Sequence, residues 1–179
     1  MRKIILYPDP VLRTKTPVIE KVDRKLEKEI GELKKVLESC ENGAGLAATQ
    51  IGLKRRFFGV KDWKTKEVRV YINPKIIRTF GEKVYSKIKD KEGKQSDFLE
   101  GCLSFPDLFG RVKRYLRIEA EWMNQGPKIL EDFEAIIFQH ELDHLNGVLF
   151  IDHIKEEKGK LYRWVGEKMT EEDLQIFSR

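Results

Sequence analysis

The run Gln139-His140-Glu141-Leu142-Asp143-His144 works as a unit only on an α-helix. It therefore fixes the element around which the rest of the chain must fold. A helix places positions i and i+4 on one face, one turn apart. His140 and His144 can thus turn two neutral imidazoles toward one metal ion. Glu141 is rotated about 100° around the axis from His140. It can lean over a water at that ion without binding the ion itself, which is the mechanical content of an HExxH segment. The alternative is two core or surface histidines in chance register. The chain has three histidines, and two of them fall in this pattern, which favours the metal site. The helix is expected from roughly Asp132 to Asn146, stopped by Gly147.

Two histidines leave a third ligand to be found. A metzincin needs a histidine six residues after His144, and Phe150 stands there. A thermolysin-like protease takes a downstream glutamate, for which Glu167 and Glu171 are formal candidates without a supporting motif. His153 lies past Gly147, off the helix, and reads as a surface residue or a helper. The remaining candidate is Cys102, in Glu100-Gly101-Cys102-Leu103-Ser104. A thiolate suits zinc or ferrous iron, and the preceding glycine lets the backbone pass close to a metal or substrate. Two imidazoles and one thiolate leave an open position, the mark of a catalytic and not a structural site. The competing reading of Cys102 is a buried structural cysteine.

A length of 179 residues favours a single domain over 1–179 and suffices to bury a core without staples. Charged residues make up 36% of the chain, so the surface is densely ionic. The net charge of +5 would suit an anionic partner. Lysine and glutamate are interspersed as on an ordinary solvated surface, however, so nucleic-acid binding is not read as the function. Cys40 and Cys102 do not form a CxxC pair or a disulfide framework. The opening run Met1 to Pro8 is too short for a signal peptide, and no stretch approaches the length of a transmembrane helix. A soluble protein in a reducing compartment, without a membrane, is expected.

Along the chain, residues 7–18 hold Pro8, Pro10 and Pro17 and predict an extended arm with turns. Asp23 can cap a helix whose stripe is Leu26, Ile30, Leu33, Leu37 and Cys40. Cys40 is read as a small buried hydrophobe on that stripe. Glu41-Asn42-Gly43 stops the helix. Strands are predicted from Phe57 to Lys61, from Val68 to Ile77 with a break at Asn73-Pro74, and from Leu116 to Met123. Asn124 to Pro127 reads as a turn, and the lysine-rich segment 81–97 as a mobile hairpin or loop. From Lys155 the apolar Leu161, Trp164, Val165 and Met169 predict a third helix.

Three short motifs stand in order. Gly43-Ala44-Gly45-Leu46-Ala47-Ala48-Thr49-Gln50 resembles the GxGxAAxQ of the peptide deformylase family. Glu100 to Ser104 is similar to its EGCLS, and Gln139 to Gly147 to its QHExDHLxG. Gly52, Asn73-Pro74 and Pro8-Asp9-Pro10-Val11-Leu12 also look typical. The resemblance runs from Ile5 to about Asp152 and departs in three places. The 81–97 segment looks longer than usual, the stretch between Trp122 and the metal helix shorter, and the tail is the least family-like part.

The resemblance implies an α+β fold, with antiparallel strands packed around the central HExxH helix and with N-terminal and C-terminal helices. It implies removal of the N-formyl group from the starting methionine of newly made polypeptides. Cys102, His140 and His144 would hold one Fe²⁺ per chain, with Zn²⁺, Ni²⁺ or Co²⁺ as substitutes, and Glu141 would be the general base. The Gln50 amide and the Leu103 backbone N–H would steady the formyl oxygen. The peptide would lie along Gly43 to Gly45, with Gly45 as its main-chain contact. Phe133, Ile136 and Ile137 would line the methionine pocket, or else be plain core packing. Glu100 and Arg114 would form an orienting ion pair, or a mere surface pair, and Asp143 would support the site or simply form a polar face. The expected partner is the N-formyl-Met nascent peptide, with a possible transient ribosome contact and a monomeric chain. The expected place is a bacterial-type cytoplasm, or an organelle after loss of a transit peptide. Two rivals stand beside this. One is an HExxH metalloprotease that cuts internal peptide bonds. The other is a basic ribosome- or RNA-associated protein holding a structural metal without activity.

Overall fold

Asp23 opens the first helix, as its place before an apolar stripe requires. In the computed structural model, which describes residues 2–89 and 92–177, its carboxylate accepts the Leu26 N–H at 2.8 Å. Helix α1 (Arg24–Ser39) follows and buries Leu26, Leu33, Val36 and Leu37. Each such leucine is worth about 1.5–3 kcal/mol of burial. Cys40 packs beside this core as expected.

Beneath α1 lies an antiparallel sheet of Gly45–Ala47, Phe57–Lys61 and Val68–Ile72, with Phe57–Lys61 in the middle. Gly45 stands opposite Val60, and Phe57 opposite Ile72. Side chains alternate across a strand. Leu46, Phe57 and Val68 therefore join α1 in one core. Ala47, Phe58 and Tyr71 face a second core with Ala135, Phe138, Leu142 and Leu145 of helix α2 (Asp132–Leu145). The sheet is a middle layer between the two helices, which explains why its strands are buried on both faces.

A second antiparallel sheet adds Ile118, Ala120 and Leu130 to the α2 core. It orders Gln125–Glu131, Arg117–Trp122 and Lys75–Phe80, with Arg117–Trp122 central. The break foreseen at Asn73-Pro74 sends Val68–Ile72 and Lys75–Phe80 into different sheets. Asn73 sits at φ +52° there and exchanges two 2.8 Å hydrogen bonds with the Ile19 backbone. Within 81–97 a hairpin forms between Lys87–Lys89 and Gln95–Asp97, while Val84–Tyr85 pairs with Lys113–Arg114.

Three expectations need correction. The turn at 124–127 is tighter than predicted. Asn124 at φ +62° makes it, and Gln125 already begins a strand. Helix α3 (Phe150–Glu156) starts before Lys155 and ends where the tail helix was expected to begin. The tail itself is a β-hairpin, Leu161–Val165 against Lys168–Glu172. Gly166 sits in its turn at φ +58°, a conformation that glycine supplies cheaply and a helix interior cannot use. This hairpin extends the four-stranded sheet through Phe105–Gly110 to Glu100–Cys102. The third core gathers between that sheet and α3, around Leu12, Phe105, Phe150, Ile154 and Leu161.

The N-terminal arm ties these layers together at the motif segments. Its Ile5 N–H donates to the Gln50 carbonyl at 2.8 Å, and its Tyr7 N–H to the Ser104 carbonyl at 3.0 Å. Gly147 turns at φ +74° against this arm, and a Cβ there would lie 2.4 Å from the Arg13 carbonyl oxygen. No described helix is long and apolar enough to cross a membrane.

Candidate active site

Helix α2 carries His140 and His144 on one face, and the strand Glu100–Cys102 brings the thiol to them. One ligand atom from each of Cys102, His140 and His144 lies within 4.8 Å of the others. The Cys102 Sγ is 3.2 Å from His144 Nε2. His140 turns its Nδ1 to Glu100 Oε2 at 3.0 Å, which leaves Nε2 for the site. Burial, and then the charge of His140, hold His144 well below the ordinary imidazole range and hence neutral. Burial also opposes a proton on His140, yet Cys102 and Glu100 outweigh it and raise that ring well above its usual value. A pocket that draws a proton to His140 has the negative potential that suits a divalent cation. One thiolate and two imidazoles are also the donors such an ion takes, so the residues present fit a metal. Glu167 and Glu171 are not in the group. Glu167 sits in the tail-hairpin turn, and Glu171 pairs with Lys160 at 2.7 Å.

Behind the histidines stands a buried ionic chain. Arg114 donates from Nε and Nη2 to the two oxygens of Glu100 at 2.8 and 2.9 Å, and from Nη1 to Asp143 Oδ2 at 2.5 Å. Asp143 Oδ2 also meets His153 Nε2 at 2.8 Å. Arg114 and Glu100 are each 4% exposed, so this is no surface pair. Burial works against the Glu100 charge, but Arg114 overrides it and holds the carboxyl down at about 2. Asp143 is likewise opposed by burial and held down at about 2 by His153 and Arg114. Arg114 thus stands between two buried carboxylates, and Arg114→Ala would strand both. The expected loss is about 3–5 kcal/mol of stability, read as a lower urea midpoint at unchanged slope. A midpoint within error of the parent protein would refute the assignment.

Glu141 differs from every other carboxylate nearby. It is 3% exposed, and its Oε2 has no hydrogen-bond partner among the described residues. Burial pushes its carboxyl up to about 7; His140 pulls against this, and Glu100 adds to it. A Cβ on residue 45 would fall 2.4 Å from Glu141 Oε1. Glycine at 45 is therefore what lets the carboxylate stand directly beneath the strand Gly45–Ala47. Gly43 is cramped as well, its Cβ position lying 3.0 Å from Cys40 Cβ and 3.2 Å from Leu103 Cδ1.

That strand is an edge strand, and its hydrogen bonds show where its free groups point. The Lys61 N–H donates to the Ala44 carbonyl at 2.8 Å, toward the sheet. The Ala47 N–H donates to Gln50 Oε1 at 2.8 Å, away from it. Peptide groups alternate between the two edges of a strand, so the Gly45 N–H and C=O face the open edge. With its Oε1 so occupied, Gln50 aims Nε2 at Ser104 Oγ (3.1 Å) and Cys102 Sγ (3.4 Å).

A cavity of about 540 Å³ opens over these groups. Gly43, Gly45, Gln50, Cys102, Leu103, His140 and Glu141 line its floor, and Phe133, Ile136 and Ile137 one wall. His144 is buried behind them at 1% exposure. Ile136 and Ile137 are buried, while Phe133 is 40% exposed at the rim. Sequence reasoning missed Trp63 and Phe98 at the mouth and Ser104 beneath Gln50. Phe98 packs edge-on against Phe133, with ring centres 5.6 Å apart. The one available signal was the presence of aromatic side chains in otherwise polar, charged segments.

Known proteins resemble this chain in sequence and in fold. The chain matches the polypeptide deformylase family over residues 1–160. It is 38% identical to a peptide deformylase of Desulfotalea psychrophila over 169 residues, covering 90% of this chain and 92% of that one. It is 39% identical to one of Thermotoga petrophila over 167 residues, covering 91% and 93%. The crystal structure of the Thermotoga maritima peptide deformylase superposes with a TM-score of 0.73 at 35% identity, over 86% of this chain and 97% of that one. A peptide deformylase from Legionella pneumophila does so at 0.70 and 31%, over 86% and 85%. With its cysteine and two histidines gathered at one point beneath a glycine edge, the chain belongs to the polypeptide deformylase family.

Proposed function

We propose that the protein hydrolyses the formamide bond of N-formylmethionyl chains during protein biosynthesis, releasing formate and a free methionine amine. The observation that carries this reading is Glu141, a buried carboxylate whose Oε2 has no hydrogen-bond partner among the described residues, beside a cysteine sulfur and two imidazoles and directly under a strand edge with room for a peptide. An unpaired buried carboxylate is costly to keep, and such perturbed groups collect at functional sites. A divalent ion on Cys102, His140 and His144 would supply Lewis acidity, making water acidic and polarising the carbonyl. We assign one ferrous ion per chain, with Zn²⁺, Ni²⁺ or Co²⁺ able to replace it.

The protein's own groups account for the rest. Glu141 takes one proton from the attacking water and delivers it to the leaving amine, and the second water proton passes from the nascent formic acid to that amine, which leaves formate and an ammonium group. The Gln50 amide and the Leu103 backbone N–H donate to the formyl oxygen as it gains charge. The peptide pairs with the Gly45 edge as an added strand, through main-chain bonds. Phe133, Ile136 and Ile137 hold the methionine side chain. Glu100, Arg114 and Asp143 keep the His140 ring in place. The whole of 1–179 acts as one catalytic domain and as a monomer in a bacterial-type cytoplasm, where it meets nascent chains in transient contact with the ribosome.

Product analysis tests the reaction class. A formyl-Met peptide incubated with the ferrous protein should lose its formyl group and keep every peptide bond. Cleavage inside an unformylated peptide would replace this reading with that of a protease.

A further inference from the structure

The end of the chain comes back to the strand that carries Cys102. After the tail hairpin, a single turn of 3-10 helix, Leu174–Phe177, packs against the third core. The Phe177 ring stands edge-on to Tyr7 of the N-terminal arm and to Phe105, with ring centres 5.5 and 5.9 Å apart. Its carbonyl accepts a hydrogen bond from Lys155 Nζ at 2.8 Å and one from the Tyr7 hydroxyl at 3.3 Å. Tail, arm and α3 are thus tied together at one residue.

Tyr7 and Phe177 share Phe105 as a neighbour. That ring is buried, with Tyr7 stacked on it at 5.0 Å and Phe150 edge-on to it at 5.3 Å. Phe105 stands opposite Cys102 in the sheet register and lines the active-site cavity. The Cys102 strand needs this support. Glu100–Cys102 is three residues long, lies at the edge of its sheet, and shifts register between Gly101 and Cys102. A short edge strand with an interrupted ladder has few backbone hydrogen bonds to fix its last residue. The thiol is therefore placed by the packing around Phe105, and by the Tyr7 N–H, which holds the Ser104 carbonyl at 3.0 Å. Phe150 extends the same packing to the metal helix, its ring centre 6.3 Å from that of His140.

Resting on the metal-centre part of the deformylase reading, we propose that Phe177 is a positioning residue, which clasps the Cys102 strand through Phe105 and Tyr7 so that the tail sets how tightly the ion is held. A ring that only filled the third core would add to stability and leave metal affinity alone. A ring that holds the thiol in its ligating position raises that affinity, as partners behind a metal ligand do.

The test measures Zn²⁺ affinity by competition with a chelator, together with thermal melts, on full-length wild type, Phe177→Ala, Phe177→Leu, Tyr7→Phe and Val68→Ala. Phe177→Ala should weaken Zn²⁺ about tenfold, and its Co²⁺ form should show a weakened sulfur-to-metal band. Phe177→Leu refills most of the space and should recover most of the affinity. Tyr7→Phe removes only the hydroxyl bond to Phe177 and should cost about threefold. Val68→Ala opens the first core, where Val68 is buried, and should lower the melting temperature at unchanged Zn²⁺ affinity. Wild-type affinity in Tyr7→Phe or in a folded Phe177→Ala overturns the clasp, and so does an equal loss in Val68→Ala. A wild type that binds no Zn²⁺ overturns the metal centre and the clasp together. One that binds Zn²⁺ with the expected differences but, loaded with Fe²⁺, releases no formate overturns the deformylase reading and leaves the clasp standing.

Discussion

Glu141→Ala is expected to keep its metal and to lose turnover by about 10²–10⁴-fold, the range typical of a general acid–base. The structure separates this effect from damage to the fold. Glu141 Oε2 makes no hydrogen bond among the described residues, so the substitution breaks no network. It also removes a carboxylate that burial disfavours, and unfolding should occur at an equal or higher temperature. Glu141→Gln keeps the shape and loses only the basicity, and it should fail to nearly the same degree. Formate release, metal content and thermal melts on the three proteins decide the matter. Turnover within a few-fold of wild type, with metal retained, would remove Glu141 from the role of base.

The second large effect is expected at Cys102. Serine keeps the size but offers a harder, weaker ligand to a thiophilic ion. Loss of outer-shell partners alone costs about 10–100-fold in metal affinity, and loss of a direct ligand should cost at least as much. Cys102→Ser should therefore release its ion to a competing chelator far sooner than wild type. Its Co²⁺ form should lack the sulfur-to-metal charge-transfer band. Because Gln50 Nε2 faces Cys102 Sγ at 3.4 Å but also bonds Ser104 Oγ at 3.1 Å, the loop keeps an anchor in the variant and the fold should survive. Unchanged affinity together with an unchanged spectrum would take Cys102 off the ligand set.

The helices α2 and α1 were open to reading in the chain because their information is local. His140 and His144 sit at helical spacing, and Gly147 ends the helix where a stop is needed. Asp23 announces α1 in the same way. The Glu100–Arg114 pair was also anticipated, from motif context. Its extension through Asp143 to His153 was not, since that depends on how α3 docks after Gly147.

The tail failed for an instructive reason. Leu161, Trp164, Val165 and Met169 fit helical steps of three and four. The same residues fit a hairpin, where Trp164 lies opposite Met169 and Val165 opposite Lys168. Periodicity over so few residues cannot separate the two, whereas Gly166 in the middle of the pattern favours the turn. The cavity beside Trp63 was invisible for another reason. It exists only once two strands and the first turn of α2 are placed side by side.

The most direct test of the account is formate release from a short formyl-Met peptide by protein loaded anaerobically with Fe²⁺, repeated after chelation and again after the ion is restored. The account predicts one formate per free amine, abolished by the chelator and recovered with the metal. A folded, metal-loaded protein that releases no formate, or one whose release is indifferent to chelation, would contradict it.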